Sequence, residues 1–388
     1  MRIARIDTFI PRVRLGAQSF YSSQAPFPQR NSLLVRLETS DGVVGWGEGG
    51  QYGPPTPVAT CVHDVLAPLL TEMGEVYPLS AWERMYAATR DFGQSGTYIE
   101  AISAIDNALW DAYGRTLGRP VHELLGGSFR DRVLAYATGG YYSATTDSDA
   151  QRDALARQFT GFFEAGFTAA KMKVGLLPLA DDARRVRLVR DAIGGAPELM
   201  VDANHAYNLA GALQMGAVLE ECRVGWFEEP VVPEDLAGYR ALSQRLRVPI
   251  AGGEAHFTRY GFDRFITEGR PAIIQPDISC CGGLSEFTKI LALATARGVR
   301  VVPHVWGSAV ALATALQAIA IIPPIPYTFV AHPLQNDPAL EYDQSPNPLR
   351  TEISDQRFEL VDGCLPIPDR PGLGIEVDQE AVRDFSDH

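Results

Sequence analysis

No run of about 18 consecutive apolar residues occurs in this 388-residue chain, so no membrane-spanning helix is expected. The first residues, MRIARIDTFIPRV, lack the long apolar core of a secretory leader and read instead as a strand. Basic residues are the minority: Lys plus Arg number 34 against 47 Asp plus Glu, a formal charge of −13. With no basic stripe, nucleic acid is not an expected partner. Cysteine is scarce too. Cys61, Cys222, Cys280, Cys281 and Cys364 are an odd number without metal-ligand spacing. The adjacent Cys280–Cys281 pair reads as ordinary packing rather than a disulfide, and a reducing, cytoplasmic setting is expected.

What is present is a hydrophobic fraction of 46% and a charged fraction of 21%, which suits a large globular core. The first 45 or so residues carry strand signals. IARIDTFIPRV alternates, and NSLLVRLET and GVVGWGEG flank Ser40-Asp41-Gly42, whose Asp-Gly step marks a hairpin. Between them, Gly16 to Arg30 has no apolar period and reads as a loop, either a simple connection or a mobile flap. From Pro57 to about Gly118 apolar residues recur at helical spacing. An α+β capping domain over residues 1–126 is therefore expected.

Past Gly126-Gly127 the rhythm changes. Short β-like runs (VLAYATGG, TAAKMKVG, LMVDAN, VGWFEEP, VPIAGGE, AIIQPD, VRVVPH) alternate with helical stretches. Seven such units predict an α/β fold, a modified (β/α)7β TIM-type barrel over 127–350, rather than an open sheet. An eighth strand is expected between PYTFVAHP and ALEYD. The Pro/Gly-punctuated tail reads as strands again, and segment 351–388 is expected to return to the capping domain.

The ionisable residues fall at strand ends. Lys171 and Lys173 end TAAKMK, Asp202 ends LMVD, Glu228 follows VGWF, Glu254 ends IAGGE, Asp277 ends IIQPD and His304 ends VVPH. From Lys173 onward the steps are 29, 26, 26, 23 and 27 residues, about one β/α unit each. Parallel barrel strands bring these ends to one face, where active sites of this fold lie.

Asp202, Glu228 and Glu254, on three successive strands, are close enough to repel unless a cation lies between them. An oxygen-only set suits Mg²⁺, with Mn²⁺ possible, over zinc or copper. Helix capping or arginine pairing would explain one such acid, but not three at one-strand intervals. Lys171 and Lys173 alternate by two and so face one side. Two ammonium groups are expected to depress each other's pKa, making one a usable base. Asp277 is one unit from His304, where a carboxylate fixes an imidazole's tautomer. Glu341, in ALEYD, reaches the same mouth and, if protonated, donates a hydrogen bond there.

At these residues the sequence resembles the enolase superfamily, in its mandelate racemase branch. KMK, VDAN, WFEEP, GGE, QPD and PHVWG occur in the family's order and spacing. The resemblance implies Asp202, Glu228 and Glu254 as Mg²⁺ ligands, and Lys173 as base on one face of a small-molecule carboxylate. It implies Lys171 as the carboxylate contact, His304 with Asp277 as the dyad opposite, and Glu341 as the acid that hydrogen-bonds the enediolate. Asn204 matches a position near substrate. VDANHAY, WFEEPVVPEDLAGY and AGGEAHFTRYG further resemble the galactaro-lactone cycloisomerases. Substrate choice in this superfamily resides in capping-domain loops, which makes Tyr21, Gln51 and Tyr52 candidate substrate contacts. His256, two residues after Glu254, is another. A homo-oligomer is implied as well.

The implied activity is removal of the proton α to a carboxylate, then β-elimination that opens a lactone or dehydrates an acid sugar. Racemisation or epimerisation of a 2-hydroxy acid is the alternative on the same site. Amidohydrolases need an H-x-H pair at the first strand, and ATGGYY offers none. Sugar isomerases leave the KMK lysines and the Asp277–His304 pair unexplained. A non-catalytic metal- and acid-binding barrel predicts a missing lysine or histidine, and neither is missing.

Overall fold

The computed structural model describes residues 1–50, 53–143 and 149–386. Ile3–Phe9, Leu33–Thr39 and Val44–Gly49 form the expected antiparallel sheet, with Leu33–Thr39 central. Gly42, at φ 85°, takes the left-handed turn between the last two strands. Gly45, Gly47 and Gly49 alternate along the last strand because the long helix Thr97–Leu117 lies against that face. A Cβ on Gly47 would come within 2.0 Å of the Ala104 carbonyl oxygen. Only glycine permits that approach.

Gly16 to Arg30 is more ordered than a loop reading implies. Arg12–Arg14 pairs with Gln29–Asn31, and Phe20–Tyr21 pairs with Pro26–Phe27, so the segment is a narrow hairpin-like flap.

Eight parallel strands follow: Arg132–Gly139, Ala169–Lys173, Glu198–Asp202, Phe227–Glu228, Ile250–Gly252, Ile273–Ile274, Arg300–Val301 and Leu340–Asp343. Each of the first seven is followed by a helix on the outside, from Asp149–Glu164 to Ala309–Ala320. The last strand pairs beside the first. Tyr136, Ala169, Met200, Trp226, Ala251, Ile273, Val302 and Ala339 pack as one buried cluster, one residue from each strand or its edge. That shared layer is what a sheet curled into a barrel produces.

The eighth strand lies in ALEYD, and PYTFVAHP forms none. Among the described residues of the tail only Cys364–Pro366 is a strand, and it pairs antiparallel with Arg132–Leu134 of the barrel, not with the N-terminal sheet. The tail nevertheless also meets the capping elements. Leu373 N–H donates to Asp111 at 2.8 Å, and Arg115 donates to the Ile375 carbonyl at 2.6 Å. The all-strand expectation fails because proline and glycine leave few ladder donors there.

Buried polar groups lock the N-terminal elements onto the barrel. Glu48 is fully buried and accepts from Ser308 N–H at 3.0 Å and Ala311 N–H at 3.0 Å, capping helix Ala309–Ala320. On helix Thr97–Leu117, Asp106 accepts from Ser285 N–H at 2.8 Å, Asn107 from Leu284 N–H at 3.1 Å and Ser103 from Gly282 N–H at 2.8 Å. These three cap helix Gly283–Ala296, so the cap is anchored directly behind the barrel mouth. No helix among the described residues is long and apolar enough to cross a membrane.

Candidate active site

Ladder register explains why the ionisable side chains meet. Asp202 is paired with Lys173 on one side and Glu228 on the other. Glu254, Asp277 and His304 each lie just past a strand's last residue, so all point from the same C-terminal rim. Carboxylate oxygens of Asp202, Glu228 and Glu254 lie within 4.8 Å of one another, and all three residues are buried. The donor set is oxygen only, the ligand type a hard divalent cation prefers. These residues fit Mg²⁺.

The surrounding contacts are dense. Lys173 Nζ lies 2.5 Å from Asp202 Oδ2. Lys171 Nζ lies 2.5 Å from Glu228 and 2.9 Å from Glu341. Trp226 Nε1 and Gln275 Nε2 donate to the other Glu228 oxygen at 2.9 and 2.7 Å, which fixes its orientation. His304 Nδ1 is 2.6 Å from Asp277, leaving Nε2 3.4 Å from Glu254 and 3.9 Å from Glu341.

Burial raises Glu228 to about 7 despite Lys171, and raises Glu254 to about 8 with help from Glu229. Asp202 goes the other way, down to about 2, because Lys173 and Lys171 outweigh its burial. Burial works to lower Lys171 and Lys173, but Glu228 and Glu341 around the first and Asp202 beside the second hold both above the ordinary lysine value. Lys171 does lower Lys173, as expected, but the carboxylates outweigh the neighbouring amine and the net shift is upward. His304 is raised to about 10 against its burial, by Glu254 and the Asp277 hydrogen bond. Glu341 is lowered by Lys171 and His304 despite burial, and it accepts from Thr138 at 2.7 Å.

Lys173, His304, Glu254, Asn204 and Glu341 line one cavity of about 20 Å³. Lys173 comes from the second barrel strand and His304 from just past the seventh, so they approach from opposite walls. The flap roofs this cavity with Ser22, Gln24 and Phe27. Ser23 donates to the Ala203 carbonyl at 2.7 Å, and the Gln24 amide meets His205 Nδ1 at 2.6 Å. His205 Nε2 in turn lies 2.6 Å from Glu229 Oε2.

Two expected substrate contacts do not join the site. Tyr21 bridges backbone-to-backbone with Tyr142 and does not line the cavity. His256 lines a separate groove of about 770 Å³ with Tyr86 and Arg90, its ring 4.4 Å from Phe265. Burial takes it down to about 4, so it is a neutral packing histidine. A turn closed by His256 N–H on the Gly253 carbonyl carries its side chain into that groove while Glu254 faces the site. Gln51 and Tyr52 lie outside the described residues. Tyr141 and Trp306, both on the cavity wall, went unread in the sequence. Trp306 follows His304 by two in the same PHVWG run; Gln24 and Phe27 carry no such signal.

A capped β/α barrel with acids, amines and an imidazole gathered at its C-terminal rim defines a class of enzyme, and comparison with known proteins specifies it. Residues 154–381 match the enolase C-terminal domain-like family, and residues 7–126 match the mandelate racemase / muconate lactonizing enzyme N-terminal domain. The chain is 39% identical to D-galactarolactone cycloisomerase of Agrobacterium fabrum over 99% of both chains. It is 36% identical to arabinonate dehydratase of Saccharolobus solfataricus over 89% of this chain and 88% of that one. Among solved structures, 3,6-anhydro-D-galactonate cycloisomerase from Zobellia galactanivorans superposes with a TM-score of 0.88 at 34% identity, covering 100% of both chains. The chain belongs to the enolase superfamily, in its mandelate racemase / muconate lactonizing enzyme branch, and it is an enzyme.

Proposed function

We propose that this enzyme removes the proton α to the carboxylate of a sugar acid or its lactone and then expels the β-oxygen, opening a ring or dehydrating a chain. The observation that carries this reading is the shared cavity: Lys173, from the second barrel strand, and His304, from just past the seventh, both line it, as does Glu254. Relatives named for a galactarolactone, an arabinonate and a galactonate supply the acid-sugar class.

Asp202, Glu228 and Glu254 are the residues that would hold Mg²⁺. When bound, the ion neutralises their charge and stabilises the developing enediolate, a contribution that is commonly the largest in such sites. A Lys or His base beside Mg²⁺ is the general pattern of enolase-superfamily sites, so this assignment matches known chemistry. Lys171 positions the substrate carboxylate from the barrel floor. With the ion neutralising the acids that hold Lys173 and His304 protonated, one of the two would take the α-proton and the other would deliver a proton to the departing oxygen. Asp277 holds His304 in one tautomer.

A racemase or epimerase reading stays second, favoured by the same pair of opposed proton carriers. It requires the second group to return its proton to the α-carbon. A proton NMR screen in D2O decides between them. Mg²⁺-loaded protein is offered D-galactarolactone, D-galactonate, D-arabinonate and their epimers. A 3-deoxy-2-keto acid product supports elimination; an epimer with deuterium at the α-carbon supports racemisation; no change in any acid removes both.

A further inference from the structure

The ladder between the first two barrel strands stops one residue short of Lys173. Its last pair is Gly139 with Met172, and Gly140, at φ 67°, turns the first strand out of the sheet. Lys173 keeps a strand neighbour only on its other side, where Val174 N–H donates to the Asp202 carbonyl at 2.8 Å. A side chain from outside the barrel fills the gap. Arg185, on helix Leu179–Ile193, donates from one terminal nitrogen to the Lys173 carbonyl at 3.1 Å and from the other to the Gly140 carbonyl at 2.7 Å. A planar guanidinium holds two carbonyls at once, so it joins the two strand ends where the sheet no longer does.

Arg185 is itself held. Asp182, fully buried on the same helix, accepts from Arg185 at 3.2 Å, from Gly175 N–H at 2.7 Å and from the Tyr142 hydroxyl at 2.6 Å. The guanidinium carbon lies 3.9 Å from the centre of the Tyr142 ring. Tyr142 is 4% exposed, and its backbone exchanges two hydrogen bonds of 2.9 Å with Tyr21 of the flap. Buried contacts therefore run without a break from the flap to the Lys173 backbone.

We propose that Arg185 is a positioning residue for Lys173, aligned by Asp182 and Tyr142. The lysine amine sits on a flexible four-carbon stem, so its place in the cavity follows from where the strand end is fixed. Misplacing a reacting group by about 1 Å costs on the order of 10²-fold in rate.

The inference rests on the reaction proposed above, and the test separates the two. Steady-state kinetics of Mg²⁺-loaded Arg185→Lys and Tyr142→Phe are measured with D-galactarolactone, D-galactonate and D-arabinonate. The introduced ammonium is a point charge without the fork, and the phenylalanine keeps the ring and the bridge to Tyr21 but gives up the hydroxyl. The two residues lie on different elements, so a folding failure in one variant leaves the other. kcat is expected to fall at least about tenfold in Arg185→Lys and about three- to tenfold in Tyr142→Phe, with KM changing less than kcat. A purely packing role would lower the unfolding midpoint and leave kcat of the folded enzyme unchanged, and that result overturns the proposal. So does a KM that rises by more than kcat falls, which would assign both residues to flap closure. Hydrogen exchange over residues 172–176 reads the grip without turnover and is expected to rise at least about threefold in Arg185→Lys. If the unmodified enzyme turns over none of the three compounds, the proposed reaction falls, while unchanged exchange in the folded variant overturns the positioning role by itself.

Discussion

His304 Nδ1 lies 2.6 Å from Asp277 Oδ2, which turns the other ring nitrogen toward Glu254 and the cavity. The carboxylate is 2% exposed and comes from the neighbouring strand's end, so burial and strand position together hold it against this imidazole. Replacing it with Asn keeps the shape but removes the charge that sets the tautomer. In Asp277→Asn, kcat is expected to fall roughly 10²- to 10⁴-fold while the thermal unfolding midpoint moves little. Steady-state kinetics on the screened acid checks this, and an unchanged kcat would remove Asp277 from the mechanism.

The carboxylate trio predicts a specific metal response. Glu254→Gln leaves two of the three acids and is expected to weaken Mg²⁺ binding at least about tenfold in a calorimetric titration. Chelation of the unmodified protein should abolish turnover, and Mg²⁺ or Mn²⁺ should restore it. Retained affinity in Glu254→Gln would place the ion elsewhere.

The roofed cavity of about 20 Å³ holds roughly one water, not a sugar acid, so the flap must lift for substrate. Its tip is pinned through Gln24 to His205, an imidazole raised to about 9 because Glu229 outweighs its burial. Gln24→Ala should raise hydrogen exchange across residues 16–30 and raise KM more than it changes kcat. Unaltered exchange there would show that Gln24 is not the latch.

Stability should also carry a pH signature from the cap–barrel junction. Burial lifts Asp106 to about 7 in the folded protein, from an ordinary value of 3.8. Its neutral form is therefore favoured by folding, so this contribution is complete below about pH 4 and is lost as pH rises through about 7. Asp106→Asn is expected to lose little at pH 4 and to gain stability at pH 8, by at most about 4 kcal/mol. Denaturant melts at the two pH values check this. A variant less stable at pH 8 than the unmodified chain would show that the ionised carboxylate is the better helix cap.

The barrel is legible because its strand ends carry the chemistry at a regular spacing. KMK, VDAN, WFEE, GGE, QPD and PH mark a rim before any coordinate does, and Asp202, Glu228 and Glu254 meet there. Strand length is less legible: Phe227–Glu228 and Ile273–Ile274 are only two residues each, shorter than the β-like runs VGWFEEP and AIIQPD that contain them. His256 misleads by proximity in sequence, since two residues past Glu254 the chain has already turned outward. Gln24, Phe27 and Arg30 act through distant partners; Gln24 and Arg30 meet theirs across 181 and 316 residues, which no local period encodes. The lysines' protonation escapes a sequence reading for the same reason, since it depends on which carboxylates the fold brings alongside.

The most direct test places Lys173→Ala and His304→Asn beside the unmodified Mg²⁺-loaded enzyme in D2O and follows the α-proton of an accepted acid sugar by NMR. Loss of both turnover and α-proton exchange in the variant lacking the base, with turnover also reduced at least about 10²-fold in the other, is the expected result. Unmodified rates in either variant, with its fold intact, would contradict the account.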